Sequence, residues 1–321
     1  MNLVEKLEPI IIFSAVLIGI LASNINIAQH TNYLINIFLC LMIYGLFLEV
    51  NLNELKNSFR NIKFTLTSLI INFIWTPLFG YWIGSIFLNG NLDILIGFFM
   101  LIITPCTDWY LVFTKLAKGD LNLNLSILPL NLILQIILLP IYLIIFFSSK
   151  NSIDYTQIIY SILIIIIIPF ITAQITKFVL RTSLKERAIN IISDLEIWFL
   201  SLAVFCIFSS QGKLLFENLN FLITIFLPLI IFFIVNSLVD LLISKKINFT
   251  YPEYVSLTMT TLARNSPLAL AIAIISFQNH ELVSIALVIG PLIELPILYI
   301  ISKFCLWIKN TKLFSFHDYT I

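Results

Sequence analysis

The sequence predicts an all-α integral membrane protein of ten transmembrane helices, arranged as two inverted five-helix repeats with helices four and nine broken and crossing. Three observations predict it. The chain is 60% hydrophobic and only 11% charged, whereas a soluble domain carries about 25% charged residues. It divides into ten apolar runs, each near the length of about 20 residues that a spanning helix needs. Two of those runs are interrupted by a proline among polar groups, at Ile103-Thr104-Pro105-Cys106-Thr107-Asp108 and at Ala263-Arg264-Asn265-Ser266-Pro267.

The runs cover roughly 10–28, 33–49, 64–88, 92–116, 121–148, 157–180, 188–210, 219–243, 253–278 and 281–308. Residues 1–9 are too short and too acidic for the leading region of a signal peptide, and the first run has no small-residue cleavage site, so it is expected to remain as a spanning helix. The connections are short and carry no Gly/Ser-rich linker. Isoleucine stretches such as Ile164 to Ile168 are expected to face lipid. With this alternation, 15 of the 18 Lys and Arg residues fall on the side of the N-terminus, two (Lys150 and Lys213) fall opposite, and Arg264 lies within a span. The positive-inside rule then places both termini in the cytoplasm, with the chain in the cytoplasmic membrane.

Ten spans divide into five and five, giving repeats at 1–156 and 157–321. A repeat with an odd number of spans must insert upside down relative to its twin. Interrupted span four answers interrupted span nine, and Leu139-Pro140-Ile141 in span five answers Leu295-Pro296-Ile297 in span ten. Paired interruptions in corresponding halves of a hydrophobic chain point to the binding site of a secondary transporter.

Proline removes a backbone donor and clashes with the carbonyl four residues back, so each interrupted span should break there. The freed backbone groups then face a small polar chamber. Cys106, Thr107, Asn265 and Ser266 are the candidate substrate-binding residues, and Thr104, Asn131 and Gln135 are candidate lining of the same cavity. Asp108 and Arg264 hold matching positions in the two repeats and are expected to pair, because either charge alone at membrane depth is costly. That pair either locks the crossover or contacts solute or coupling ion. Glu294, between Pro291 and Pro296 in span ten, is a carboxyl in an apolar surround and is the candidate for proton coupling. The alternative is a carboxyl that hydrogen-bonds carbonyls freed by Pro296. Asn131 and Gln135, four apart on one helical face, could equally join helices through hydrogen bonds.

Trp75, Trp82 and Trp307 read as interface anchors, with Trp109 packed near the first break. The four cysteines are widely spaced without a CxxC pair, which argues against a zinc site or a disulfide framework. His30, His280 and His317 suggest no metal site. A formal charge of +1 implies no nucleic-acid partner. The expected partners are a small inorganic or organic solute, protons as coupling ion and the lipid bilayer, with no cofactor. No nucleophile–base arrangement or facing acid pair suggests an enzyme.

Thr104-Pro105-Cys106-Thr107, Lys118-Gly119-Asp120 and Gly290-Pro291-Leu292-Ile293-Glu294-Leu295-Pro296 resemble the bile-acid/sodium symporter superfamily, and within it the arsenical-resistance exporters. That resemblance implies a panel domain and a core domain, each drawn from both repeats, with broken helices four and nine crossing in the core. It places the exporters' thiol and acid at Cys106 and Glu294, and it implies extrusion of arsenite or antimonite driven by proton entry. The sodium-coupled members carry a Ser-Asn pair where this chain has Tyr110 and Leu111, and a Glu and a Gln where it has Thr260 and Arg264. A sodium ion does not tolerate a cation in its shell, so sodium coupling is not expected. Asp108 and Arg264 also depart from the uncharged residues of the arsenite exporters. The alternative is therefore a transporter of small organic anions, not sodium-coupled, with Arg264 as counter-charge.

Overall fold

The computed structural model describes residues 3–23, 28–49, 59–107, 109–147, 155–180, 189, 191–192, 195, 198–206, 208–210, 219–277 and 280–311. Its helices are α1 (Leu3–Ala22), α2 (Ala28–Glu49), α3 (Ile62–Phe87), α4 (Leu92–Ile103), α5 (Trp109–Leu116), α6 (Leu121–Phe147), α7 (Tyr155–Val179), α8 (Trp198–Ser210), α9 (Leu219–Lys246), α10 (Tyr251–Leu262), α11 (Ser266–Ser276) and α12 (Glu281–Thr311). Of these, α3, α6, α9 and α12 contain stretches long and apolar enough to cross a bilayer. The first helix starts at Leu3, seven residues ahead of the predicted span. The predicted span 188–210 lies partly outside the described residues.

The helix starts follow from local chemistry. Asn61 caps α3 by accepting the Phe64 N–H, and Asn91 caps α4 by accepting those of Asp93 and Ile94. Thr250 and Glu253 form a reciprocal capping box at the start of α10, satisfying donors the first helical turn leaves open. Within α3, Ile71–Trp75 widens into a π turn just ahead of Pro77. That proline has no N–H for the Phe73 carbonyl, and the Tyr142 hydroxyl of α6 donates to it instead.

Burial runs opposite to that of a water-soluble fold. On α9, Ile234, Leu238 and Leu242 are exposed, while Asn236, Asp240 and Ser244 on the other face are fully buried. A helix with its apolar stripe outward and its polar stripe inward is suited to lipid, where every polar group needs an internal partner.

The chain forms two compact units. One comprises Met1–Val50, Ser149–Leu222 and Pro267–Val288. In it α2 packs along α7: the Tyr44 hydroxyl is 2.9 Å from that of Thr176, and the Phe47 and Phe170 rings meet edge-on at 5.2 Å. Gly19 lets α1 approach α8, since a Cβ there would lie 2.8 Å from the Phe205 carbonyl oxygen.

The other unit comprises Asn51–Ser148, Ile223–Ser266 and Ile289–Ile321, and it holds the two breaks. Gly80 and Gly84 bring α3 close against α4. A Cβ on Gly80 would sit 1.9 Å from Ile102 Cδ1, and one on Gly84 2.6 Å from Leu95 Cδ1. Trp75 donates its ring N–H to Asn236 Oδ1 at 2.8 Å, tying α3 to α9. The sequence reading of Trp75 as an interface anchor is therefore corrected: its polar tip is used inside the unit. Trp82 and Trp307 are exposed.

Candidate functional site

The helix breaks fall where the prolines predict them, between α4 and α5 and between α10 and α11. Each break leaves backbone groups unsatisfied, and the two breaks complete each other. Pro105 has no N–H for the carbonyls at the end of α4, and the Thr104 hydroxyl lies 3.0 Å from the Met100 oxygen and 3.1 Å from that of Leu101. Pro267 likewise deprives the Ala263 carbonyl of its helical donor, and the Cys106 N–H donates to it at 2.9 Å. The Asn265 N–H donates to the Thr104 carbonyl at 2.7 Å, so Pro105 and Arg264 face each other across an isolated antiparallel β bridge. Neighbouring helices supply the rest. The Arg264 N–H donates to Glu294 Oε1 of α12 at 2.7 Å, and the Thr260 carbonyl accepts from Asn72 of α3 at 3.3 Å. An orphaned buried N–H or carbonyl costs about 1–3 kcal/mol, so this mutual satisfaction lets two interrupted helices persist in the buried interior of the unit.

Cys106, Thr107, Asn265 and Ser266 come together at the bridge, each at most 3% exposed. The Asn265 side chain donates to Thr107 Oγ1 at 3.3 Å, while the Ser266 hydroxyl has no hydrogen-bond partner among the described residues. Thr104 is fully buried, and its hydroxyl lies within hydrogen-bonding distance of the Met100 and Leu101 carbonyls of α4 and, at 3.3 Å, of the Asn265 carbonyl of the other break. Asn131 donates to the Thr260 hydroxyl at 3.2 Å, joining α6 to α10. Neither polar atom of the Gln135 side chain has a hydrogen-bond partner among the described residues. Asp108 lies outside the described residues, and with it the expected pair to Arg264.

The Arg264 side chain is 1% exposed. Its Nε donates to the Leu262 carbonyl at 3.2 Å, and its guanidinium carbon stands 5.1 Å from the centre of the Phe232 ring of α9, a cation–π contact. Nη1 and Nη2 have no hydrogen-bond partner among the described residues. Glu294, Asp240 and Cys106 lie within Coulombic reach of this charge. Glu294 is bound to the break between α10 and α11 through the Arg264 N–H.

Asp240 is the residue that sequence reasoning missed. It is fully buried on α9, and Oδ2 accepts the Thr261 hydroxyl at 2.6 Å. Its signal is an acid inside an apolar run, with Lys245 and Lys246 close by at the end of the helix. Asn236, one turn earlier on the same face, marks the stripe as inward.

The sequence model of the Sodium Bile acid symporter family matches residues 36–218. The chain is 23% identical over 291 residues to the arsenical-resistance protein Acr3 of Corynebacterium glutamicum, covering 86% of this chain and 78% of that protein. It is 25% identical over 288 residues to the arsenical-resistance protein Acr3 of Alkaliphilus metalliredigens, covering 83% and 79%. An uncharacterized transporter of Synechocystis is 21% identical over 340 residues, covering 95% and 89%.

Proposed function

The chain belongs to the sodium bile acid symporter family, a multi-pass membrane transporter, and from that premise we propose that it exports arsenite or antimonite across the cytoplasmic membrane in exchange for protons. The observation that carries this reading is the pairing of the two breaks. It holds a buried thiol, Cys106, next to Thr107, Asn265 and the Arg264 charge. Sulfur favours a soft trivalent metalloid, and the relatives named for arsenical resistance align along most of the chain.

In this reading Cys106 takes up As(OH)3 by exchange. The thiol S–H and one As–OH become an S–As bond and a water molecule, and water reverses the exchange on the far side. Thr107, Asn265 and Ser266 supply hydrogen bonds to the remaining hydroxyls, with Asn131 and Gln135 along the approach. Glu294 carries the proton. Because its Oε1 accepts the Arg264 N–H, a change in its charge acts directly on the backbone that pairs with the Cys106 segment. Asp108 and Arg264 hold or gate the crossover. The architecture is two inverted repeats, 1–156 and 157–321, with both termini cytoplasmic. Its support is that each compact unit draws residues from both halves of the chain.

Uptake of arsenite into everted vesicles tests the reading: Cys106→Ser is expected to abolish proton-driven accumulation, and unchanged accumulation rejects the role of the thiol. A second reading, transport of a small organic anion, is favoured by Nη1 and Nη2 of Arg264, which have no hydrogen-bond partner among the described residues. It predicts that a carboxylate or sulfonate is accumulated and that Arg264→Lys retains part of that activity.

A further inference from the structure

Among the described residues of one compact unit, three side chains of formally charged type, Asp240, Arg264 and Glu294, are at least 97% buried, and the proposed exporter cycle gives Asp240 no role. We propose that Asp240 is a second proton carrier, and that Arg264 is a fixed internal cation shared between Asp240 and Glu294, so that protonation of one carboxyl hands the guanidinium to the other.

Among the described residues one guanidinium faces two carboxyls; it balances one carboxylate, and the second would leave an uncompensated charge in an apolar interior, which is strongly disfavoured. The group is therefore neutral when the two carboxyls together hold one proton, which can reside on either. The geometry leaves both options open. Glu294 is held by the backbone N–H of Arg264, not by its side chain. Asp240 is held at Oδ2 by Thr261, one helical turn ahead of Arg264, and Oδ1 has no hydrogen-bond partner among the described residues. The matching donors, Nη1 and Nη2 of Arg264, have none either. A buried acceptor and buried donors of opposite charge, in Coulombic reach with no hydrogen bond between them among the described contacts, are complementary halves of a pair. In the described arrangement the guanidinium rests on Phe232 instead, a contact weaker than an ion pair and easily exchanged for one.

The groups facing Asp240 are Thr261 and Arg264 together with Tyr254 and Cys305, whose hydroxyl and thiol meet each other at 3.7 Å. Arg264 is the cation among them. Its backbone is also half of the bridge to Pro105. Moving the guanidinium therefore pulls on the strand that holds Cys106, which gives proton binding a mechanical route to the thiol.

The role in coupling rests on the proposed exporter function, but the protonation does not, and the test separates them. Infrared spectra of the purified full-length protein in liposomes, recorded across a pH titration, report protonated carboxyls through their C=O stretch. Asp240→Asn is expected to delete one titrating acid band, Asp240→Glu to restore it at a shifted frequency, and Glu294→Gln to move the Asp240 band because the two share one cation. If Asp240→Asn folds poorly, the frequency shift of Asp240→Glu alone decides. An acid band identical in wild type and both Asp240 variants overturns the proposal, as does an Asp240 band indifferent to Glu294→Gln. In vesicles, Asp240→Asn is expected to lose the rise in arsenite accumulation with an imposed pH gradient, and retention of that rise overturns the coupling role. A wild type that moves no arsenite sinks the exporter reading and leaves the spectra to judge Asp240.

Discussion

Replacing Glu294 with Gln and with Leu separates what its oxygen does from what its charge does. The Arg264 N–H would belong to Thr260 if α10 continued; the break gives it to Glu294 Oε1 at 2.7 Å, with both residues at most 3% exposed. Gln keeps an acceptor of the same reach. It exchanges a hydrogen bond to a charged group, about 1.5–3 kcal/mol, for a neutral one of about 0.5–1.5 kcal/mol, a loss of about 1 kcal/mol. Leu removes the acceptor, orphaning a buried N–H at about 1–3 kcal/mol. Both variants remove the carboxyl charge beside a buried guanidinium, a loss common to the two. The difference between them is the orphaned N–H against a weakened hydrogen bond, about 1–2 kcal/mol. Thermal unfolding of the purified protein in detergent is the assay: the midpoint should fall for both variants and further for Glu294→Leu. Equal midpoints for the two variants would refute the assignment of that oxygen to the break.

Gly80→Ala places a methyl group 1.9 Å from Ile102 Cδ1, an overpacking expected to cost about 1–3 kcal/mol. Ile102→Val deletes that atom and should restore the thermal midpoint of the Gly80→Ala protein; a double variant no better than the single one would show that α3 and α4 do not meet there. Trp75→Phe leaves buried Asn236 Oδ1 without its 2.8 Å donor and should cost about 1–3 kcal/mol. Trp82→Phe, at an exposed position, should be close to neutral, and equal losses at the two sites would contradict their different placement. Arg264→Gln should abolish transport, since it deletes a buried cation while leaving the backbone N–H to Glu294 intact. Wild-type transport by that variant would remove Arg264 from the site.

Much of this arrangement is legible in the chain because proline acts locally. Pro105 and Pro267 each forbid one helical hydrogen bond, so the positions of both breaks follow from covalent structure alone. What fills the vacated bonds is not local. That the Cys106 N–H goes to Ala263, or the Arg264 N–H to Glu294, depends on segments some 30 to 160 residues apart meeting in space. Asp240 is illegible for a related reason: an acid five residues ahead of the lysine pair looks like a helix terminus until the opposite face of α9 is seen to be lipid-like. Trp75 was misassigned because a tryptophan near the end of an apolar run satisfies the aromatic-belt rule whether its N–H points to a headgroup or to a buried asparagine.

The most direct test of the paired breaks is a cross-link between them. Residues 105 and 264 are directly opposed in the bridge, and the Cys106 N–H reaches the Ala263 carbonyl at 2.9 Å. Opposed positions of an antiparallel pair have Cα atoms about 4.5–5.5 Å apart, a separation that suits a disulfide. In a protein whose Cys40, Cys206 and Cys305 are replaced by serine, Ala263→Cys should form an intramolecular bond with Cys106 under mild oxidation, seen as loss of both thiols to alkylation in the membrane. Two thiols that stay fully alkylatable after oxidation, in a variant that still folds, would contradict the meeting of the two broken helices on which the whole account stands.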